Sequence, residues 1–316
     1  MVGSGDGLVS RRPDVTLIQL RYFVKAASLG SMTKAAAELH IAQSAVSAAV
    51  SQLEAQLGSQ LFIRHRARGL ALTLAGEDML RESRALLAHL DEVVDTASGL
   101  IDQVRGTVRL ACFLTLAPFI LPRLLSTLAH SHPELDVNVV EIAADEVFGI
   151  LRSGAVDLAL TYDFGMPVGL ETQLLGVATP YVALAAEHRL AGRQAIRLHE
   201  LADEPMVLLD LPESREYFGA ILAKAGVAPD IAYRSPSYET VRGLVALGHG
   251  FSILNQVPAH DSTYAGGLVK AVRIADDVPG LPVVVARLAS VRSTARVRAV
   301  GDALSGLFSE QDGEPH

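Results

Sequence analysis

The sequence of 316 residues contains a single cysteine, Cys112. No disulfide can close within one chain, and a metal site built on cysteines is excluded. Cys112 lies in the apolar run Val108 to Leu116. A small buried strand residue is one reading of it, and a reactive thiol is the other. No apolar run approaches the roughly 18 residues that suggest a membrane span. Met1 to Asp14 is rich in Gly and Ser and lacks the apolar core of a signal peptide. Arg11-Arg12 is followed by Pro13-Asp14, which does not read as an export signal. The expectation is a disordered leader over 1–15, a cytoplasmic protein and no membrane partner. The chain has no G-x-S-x-G elbow, no phosphate-binding P-loop and no H-E-x-x-H, and its ten histidines do not cluster at ligand spacing. No catalytic residue, metal or cofactor is expected, which leaves an enzyme as an alternative with little behind it.

Half of the residues are hydrophobic and a fifth are charged. That is the balance of a globular chain with about two domains. The formal net charge of −8 argues against nucleic acid as a partner, but its distribution reverses the argument. From Arg11 to Leu72 there are eight Lys and Arg against three acids, while the rest of the chain has nineteen basic and thirty-two acidic residues. A basic N-terminal module on an acidic body fits DNA binding by the first and a different task for the second.

Within 16–72 the pattern is three short helices and a hairpin. Leu17 to Leu29 reads as a first helix with Leu17, Leu20, Phe23, Val24 and Ala27 on one face, stopped by Gly30. Ser31 can cap a second helix, Thr33 to Leu39. After the turn His40-Ile41-Ala42, a third helix runs from Gln43 to Leu57, with Val46, Val50, Leu53 and Leu57 facing inward. Gln43, Ser47 and Ser51 recur every four residues on another face, with Ser44 and Ala48 beside them. A small polar face lets a helix lie deep in the major groove, and glutamine can pair with two atoms of adenine. A solvated face of an ordinary helix would also be polar. The following segment, Leu61 to Arg64, His65-Arg66-Ala67-Arg68-Gly69, Leu70 to Leu72, reads as two short strands around a basic turn. Arg64, Arg66 and Arg68 on such a wing suit phosphates or a narrow minor groove.

These residues resemble the LysR-type transcriptional regulators. The resemblance is carried by Leu20-Arg21-Tyr22-Phe23-Val24, Gly30-Ser31-Met32-Thr33-Lys34-Ala35-Ala36, Ala42-Gln43-Ser44-Ala45-Val46-Ser47, Leu53-Glu54, Leu57-Gly58, Leu61-Phe62 and Leu72-Thr73-Leu74-Ala75-Gly76. It implies DNA contacts from Thr33, Lys34, Gln43, Ser44, Ser47, Ser51 and the three wing arginines. The family often has Ser where Ala42 stands and Arg where Ala48 stands, so a cap and one contact differ here.

Residues 73–105 read as a linker helix. Leu87, Leu90, Val94, Ala97, Ile101 and Val104 alternate spacings of three and four, which is a heptad seam. A second row is Met79, Leu86, Val93 and Leu100. One row could pair two chains and the other hold each chain's own head. The resemblance implies a homodimer through this helix and often a homotetramer.

Residues 106–309 alternate strands and helices, with a polar tail at 310–316. Strands are expected at Val108–Phe113, Leu135–Ile142, Val156–Leu160, Val177–Leu184, Pro205–Leu209, Ile231–Arg234, Gly250–Leu254 and Pro282–Ala289. Thr115, Ser214 and Ser237 stand where strands feed helices, a setting that binds anions or serves as a plain cap. The fold class expected is therefore multi-domain: a winged helix-turn-helix head, a long linker helix and an α/β effector domain. The resemblance implies two lobes like those of periplasmic binding proteins, with the effector between them. It matches Thr115, Tyr162, Asp210, Ser214 and His249 to cleft positions. The ligand expected is a small organic molecule, an anion before a cation, weakly charged or partly aromatic. Double-stranded DNA and RNA polymerase are the macromolecular partners to consider. A solute-binding protein of the same two-lobed fold is the other alternative.

Overall fold

The computed structural model describes residues 14–65, 69–97 and 104–311. Two compact units result, one built on the N-terminal head and the helix after it, the other on the α/β domain.

In the head, α1 (Leu17–Leu29) starts at Thr16 with a capping box: Gln19 N–H donates to Thr16 Oγ1 and Thr16 N–H to Gln19 Oε1. Gly30 ends it in the left-handed region at φ 58°. Ser31 caps α2 (Met32–Glu38) by accepting from Lys34 N–H. The turn passes through His40 at φ 55°, and α3 (Gln43–Leu57) follows. Leu20, Phe23, Ala26, Val46, Val50 and Leu53 are buried together, while Leu17 is 43% exposed and so leaves the inward face expected of it. Of the expected leader, Asp14 and Val15 belong to the head instead, since Asp14 C=O accepts from Gln56 and Val15 packs on the head core; residues 1–13 lie outside the described residues. Strands β1 (Phe62–His65) and β2 (Gly69–Leu72) pair antiparallel, Phe62 opposite Leu72. Glu54 anchors the hairpin, its Oε1 accepting from the N–H of Leu61 and of Phe62.

Thr73 caps α4 (Leu74–Ala97) by accepting from Gly76 N–H at 3.0 Å. Gly76 is there because a Cβ would meet Leu61 O at 2.1 Å. Helix α4 is described as far as Ala97, against an expected stretch to about Val104, and residues 98–103, Leu100 and Ile101 among them, lie outside the described residues. Val104 is outside any helix. Met79, Leu80 and Leu87 pack on the head, whereas Leu86, Val93 and Val94 are about half exposed. Head contacts thus come from one end of the helix and draw on both rows, so the rows do not divide the two tasks as expected.

The α/β domain has one five-stranded sheet in its first lobe, and a four-stranded sheet beside a two-stranded one in its second. The five-stranded sheet has the order β4-β3-β5-β13-β6. Its strands are β3 (Gly106–Phe113), β4 (Leu135–Ile142), β5 (Leu158–Tyr162), β6 (Leu170–Ala178) and β13 (Leu281–Leu288). Strands β4, β3 and β5 are parallel, and β13 is antiparallel to β5 and β6. Helices α5 (Ala117–Ser131) and α9 (Ala295–Gln311) pack together, and α6 (Val147–Arg152) lies over a small core containing Ala111 and Ala159. The second lobe holds β7 (Tyr181–Ala185), β8 (Ala195–Ile196), β9 (Met206–Leu209), β10 (Ile231–Ser235), β11 (Ser252–Leu254) and β12 (Val269–Ile274). Its four-stranded sheet has the order β11-β7-β12-β8, and its two-stranded sheet pairs β10 with β9. It also holds α7 (Pro212–Lys224) and α8 (Tyr238–Ala246). The chain crosses between lobes after β6 and again before β13. The expected strand Val177–Leu184 is therefore two strands of two sheets, broken at Thr179-Pro180 because proline has no N–H for a ladder. Strands β8 and β12 and most of β6 had no counterpart in the sequence reading. The polar tail begins later than expected, since α9 runs through Glu310-Gln311.

Candidate functional site

On the head, Gln43, Ser44 and Ser51 are exposed and Ser47 is half-buried on α3, with Gln43 Nε2 donating to Ser47 Oγ at 2.8 Å. Ala42 starts α3 with no side-chain cap bond, as its lack of a hydroxyl dictates. Thr33 and Lys34 are exposed at the start of α2. Arg64 stands in β1 opposite Leu70; Arg66 and Arg68 lie outside the described residues.

In the α/β domain the carboxyl ends of β3, β5 and β11 converge. Thr115 follows β3 one residue before the Leu116 cap of α5, so it is not the cap itself. It is buried, with its side chain close to the Tyr162 phenol at the end of β5. Tyr162 is also buried, with Phe113 and Phe164 against its ring at centroid distances of 5.4 and 5.8 Å. Burial raises its pKa well above the usual phenol range, so it stays a neutral hydroxyl. From the second lobe, Gln256 Nε2 donates to Tyr162 Oη at 2.9 Å. The Gln256 main-chain carbonyl accepts from the phenols of Tyr181, at 2.9 Å, and Tyr238. Phe119 of α5 meets Tyr238 of α8 edge-on at 5.6 Å. Gln256, Tyr181 and Tyr238 escaped sequence reasoning. A lone polar residue after a short strand carries no periodic signal, although its place beyond a strand's carboxyl end was a usable one.

Other expected positions diverge. Ser214 is buried in the first turn of α7, whose cap is Leu211. Asp210 follows β9 and is held by Arg215 at 2.6 Å and Arg234 at 3.9 Å. His249 does not join this group. It is exposed, meets Tyr233 edge-on at 5.1 Å, and precedes β11, whose neighbour Phe251 bridges in parallel to Met206 at the start of β9. The loop therefore sits at the amino ends of these strands, opposite the ends that carry Gln256 and Asp210. A glycine-flanked histidine suggested a ligand loop, but strand direction turns it away. Beside the convergence, Asp163, Phe164, Glu213, Glu216, Tyr217 and the crossover 279–282 line a recess of about 390 Å³. One carboxylate oxygen of Glu213 is buried there without a hydrogen-bond partner.

Comparison with known proteins accounts for both units. Residues 17–77 match the family model described as bacterial regulatory helix-turn-helix protein, lysR family, and residues 102–309 match the LysR substrate binding domain. A protein of Mycobacterium leprae named as a probable hydrogen peroxide-inducible genes activator is 31% identical over 306 residues, covering 94% of this chain and 95% of that one. The crystal structure of HinK, a LysR family transcriptional regulator from Pseudomonas aeruginosa, is 34% identical with a TM-score of 0.65 over 94% of this chain and 100% of that one. A full-length OxyR variant from the same organism shares the fold at 24% identity, with a TM-score of 0.74 over 93% of this chain and 97% of that one. The chain belongs to the LysR family of transcriptional regulators, with a helix-turn-helix DNA-binding domain and an effector-binding domain.

Proposed function

We propose that this regulator reads operator DNA with the amino-terminal end of α3, grips phosphates with its wing arginines, works as a homodimer through α4 and responds to a small organic effector between its two lobes. The observation that carries the DNA reading is the exposed face of Gln43, Ser44 and Ser51, with Ser47 beside them, on a helix whose opposite face holds the head core. On this proposal the protein works in the cytoplasm, where its DNA is, with RNA polymerase as a further partner at the promoter. The cleft residues favour a partly aromatic, weakly charged ligand over an anion, because Asp163, Glu213 and Glu216 repel negative charge at its edge. Fluorescence anisotropy should show tighter binding to the region upstream of the protein's own gene than to random DNA of equal length. Equal affinities would sink the reading. A metabolite panel followed by thermal melting then identifies the effector as the compound that raises Tm.

The names of several relatives raise a second reading, a response to peroxide. Cys112 opposes it. The thiol is buried, and desolvation, with the Glu141 carboxylate across from it in β4, pushes its pKa far above the ordinary thiol value. Little thiolate is available to attack peroxide, and there is no second cysteine to form a disulfide within the chain. DNA affinity should stay within about twofold after peroxide treatment. A larger loss that dithiothreitol reverses would restore the peroxide reading.

A further inference from the structure

We propose that the hydrogen bond between Gln256 and Tyr162 is a latch that holds the two lobes together without ligand, and that the effector acts by breaking it. The inference rests on the cleft being the effector site, and it adds the residue pair that senses occupation.

Gln256 is fixed from one side and reaches to the other. Its main-chain carbonyl receives the phenols of Tyr181 and Tyr238, both in the second lobe. Those two hydroxyls also lie 3.0 Å apart, so the group forms a closed cluster. Two donors on one carbonyl hold the backbone of Gln256 in place, and its side-chain amide projects 2.9 Å from Tyr162 in the first lobe. Tyr162 is equally fixed, by Phe113 and Phe164 around its ring and by Thr115 at its hydroxyl. A hydrogen bond between two rigid mounts acts as a joint. Bonds between loose side chains give way without moving their supports.

The joint is also costly to leave empty. The Tyr162 hydroxyl is buried, and opening the lobes must replace its bond to Gln256 by water or by a ligand. Nearby, the side-chain amide oxygen of Asn255, Oδ1, is buried with no partner, so the segment that carries Gln256 already holds an acceptor waiting for a donor. A ligand that accepts from the Gln256 amide and donates to Asn255 would satisfy both groups once the joint opens. A flat carboxamide or heteroaromatic compound has that pairing and suits the surrounding ring edges. The bond thus couples chemistry in the cleft to the angle between lobes.

Hydrogen–deuterium exchange on the full-length, ligand-free protein tests the latch. In Tyr162→Phe and in Gln256→Ala, peptides spanning 113–119, 160–166 and 254–258 should exchange at least about fivefold faster than in the parent chain, while peptides from α3 and from β13 are unchanged. Unchanged cleft peptides in both variants overturn the proposal. So does a uniform rise across the whole domain, which would mean general destabilisation. If Gln256→Ala fails to fold, Gln256→Met keeps the side-chain volume and removes the donor, and the same outcomes apply. Because no ligand is used, failure here leaves the effector reading to its own melting test, and failure of that test leaves the latch measurable.

Discussion

Gln43 carries the sharpest expectation at the level of single residues. Its amide donates to Ser47, so the pair proposed to face the groove is already aligned along the helix. Gln43→Ala should cost about 1–3 kcal/mol at a cognate site and little on random DNA, measured by competition binding. Equal losses on both would remove Gln43 from base reading. Ala42 offers a complementary test of stability. Helix α3 begins there without a side-chain acceptor, whereas Thr16 and Ser31 provide one for α1 and α2. Ala42→Ser should stabilise the head by about 0.5–2 kcal/mol, seen as a higher denaturant midpoint. Most of the head core and the caps at Ser31 and Thr73 were legible because each rests on local spacing or local chemistry, whereas the Thr16 capping box and the outward turn of Leu17 were not read. Gln256 and His249 were not legible, because their roles depend on which end of a strand they occupy, and that is a property of the sheet.

Helix α4 is where an element-level expectation meets exposed surface. Leu86, Val93 and Val94 remain about half exposed while Met79, Leu80 and Leu87 are taken up by the head. Exposed aliphatic residues at helical spacing favour pairing with a second copy. Val94→Glu would bury an unpaired charge in that interface, so the variant should sediment as a monomer and lose affinity for a two-half-site operator. An intact dimer in analytical ultracentrifugation would move the interface elsewhere. The rows read from sequence were right about apolar content and wrong about the division of labour, because the head occupies one end of the helix and takes residues from both rows. Strands show the same limit. Leu135–Ile142 was legible as written, whereas the end of β6 and β7 were read as one strand across Thr179-Pro180; the proline marked a break that was passed over, but it could not say that the two sides belong to different sheets.

Across the whole molecule the charge is divided. The stretch from Arg11 to Leu72 is basic and the rest is strongly acidic, with thirty-two acids against nineteen bases. The acidic body repels DNA at long range, and salt screens that repulsion beyond about 8–10 Å. Contacts made by the wing act at shorter range and depend on salt in a different way, through release of counterions from phosphates. The logarithm of the affinity should fall with the logarithm of salt concentration with a slope of about −0.9 per phosphate neutralised. A dimer carries each wing arginine twice, so Arg66→Ala should make the slope shallower by about 2 and weaken cognate and random DNA alike. Gln43→Ala should leave the slope as it was, because it removes a base contact and no phosphate contact. The two variants therefore separate along two axes of one titration series, discrimination for α3 and salt dependence for the wing. If Arg66→Ala weakened binding with the slope unchanged, the wing would not be neutralising phosphates. The positive balance of the head would then have to act through Arg21, Lys25 and Lys34 on α1 and α2.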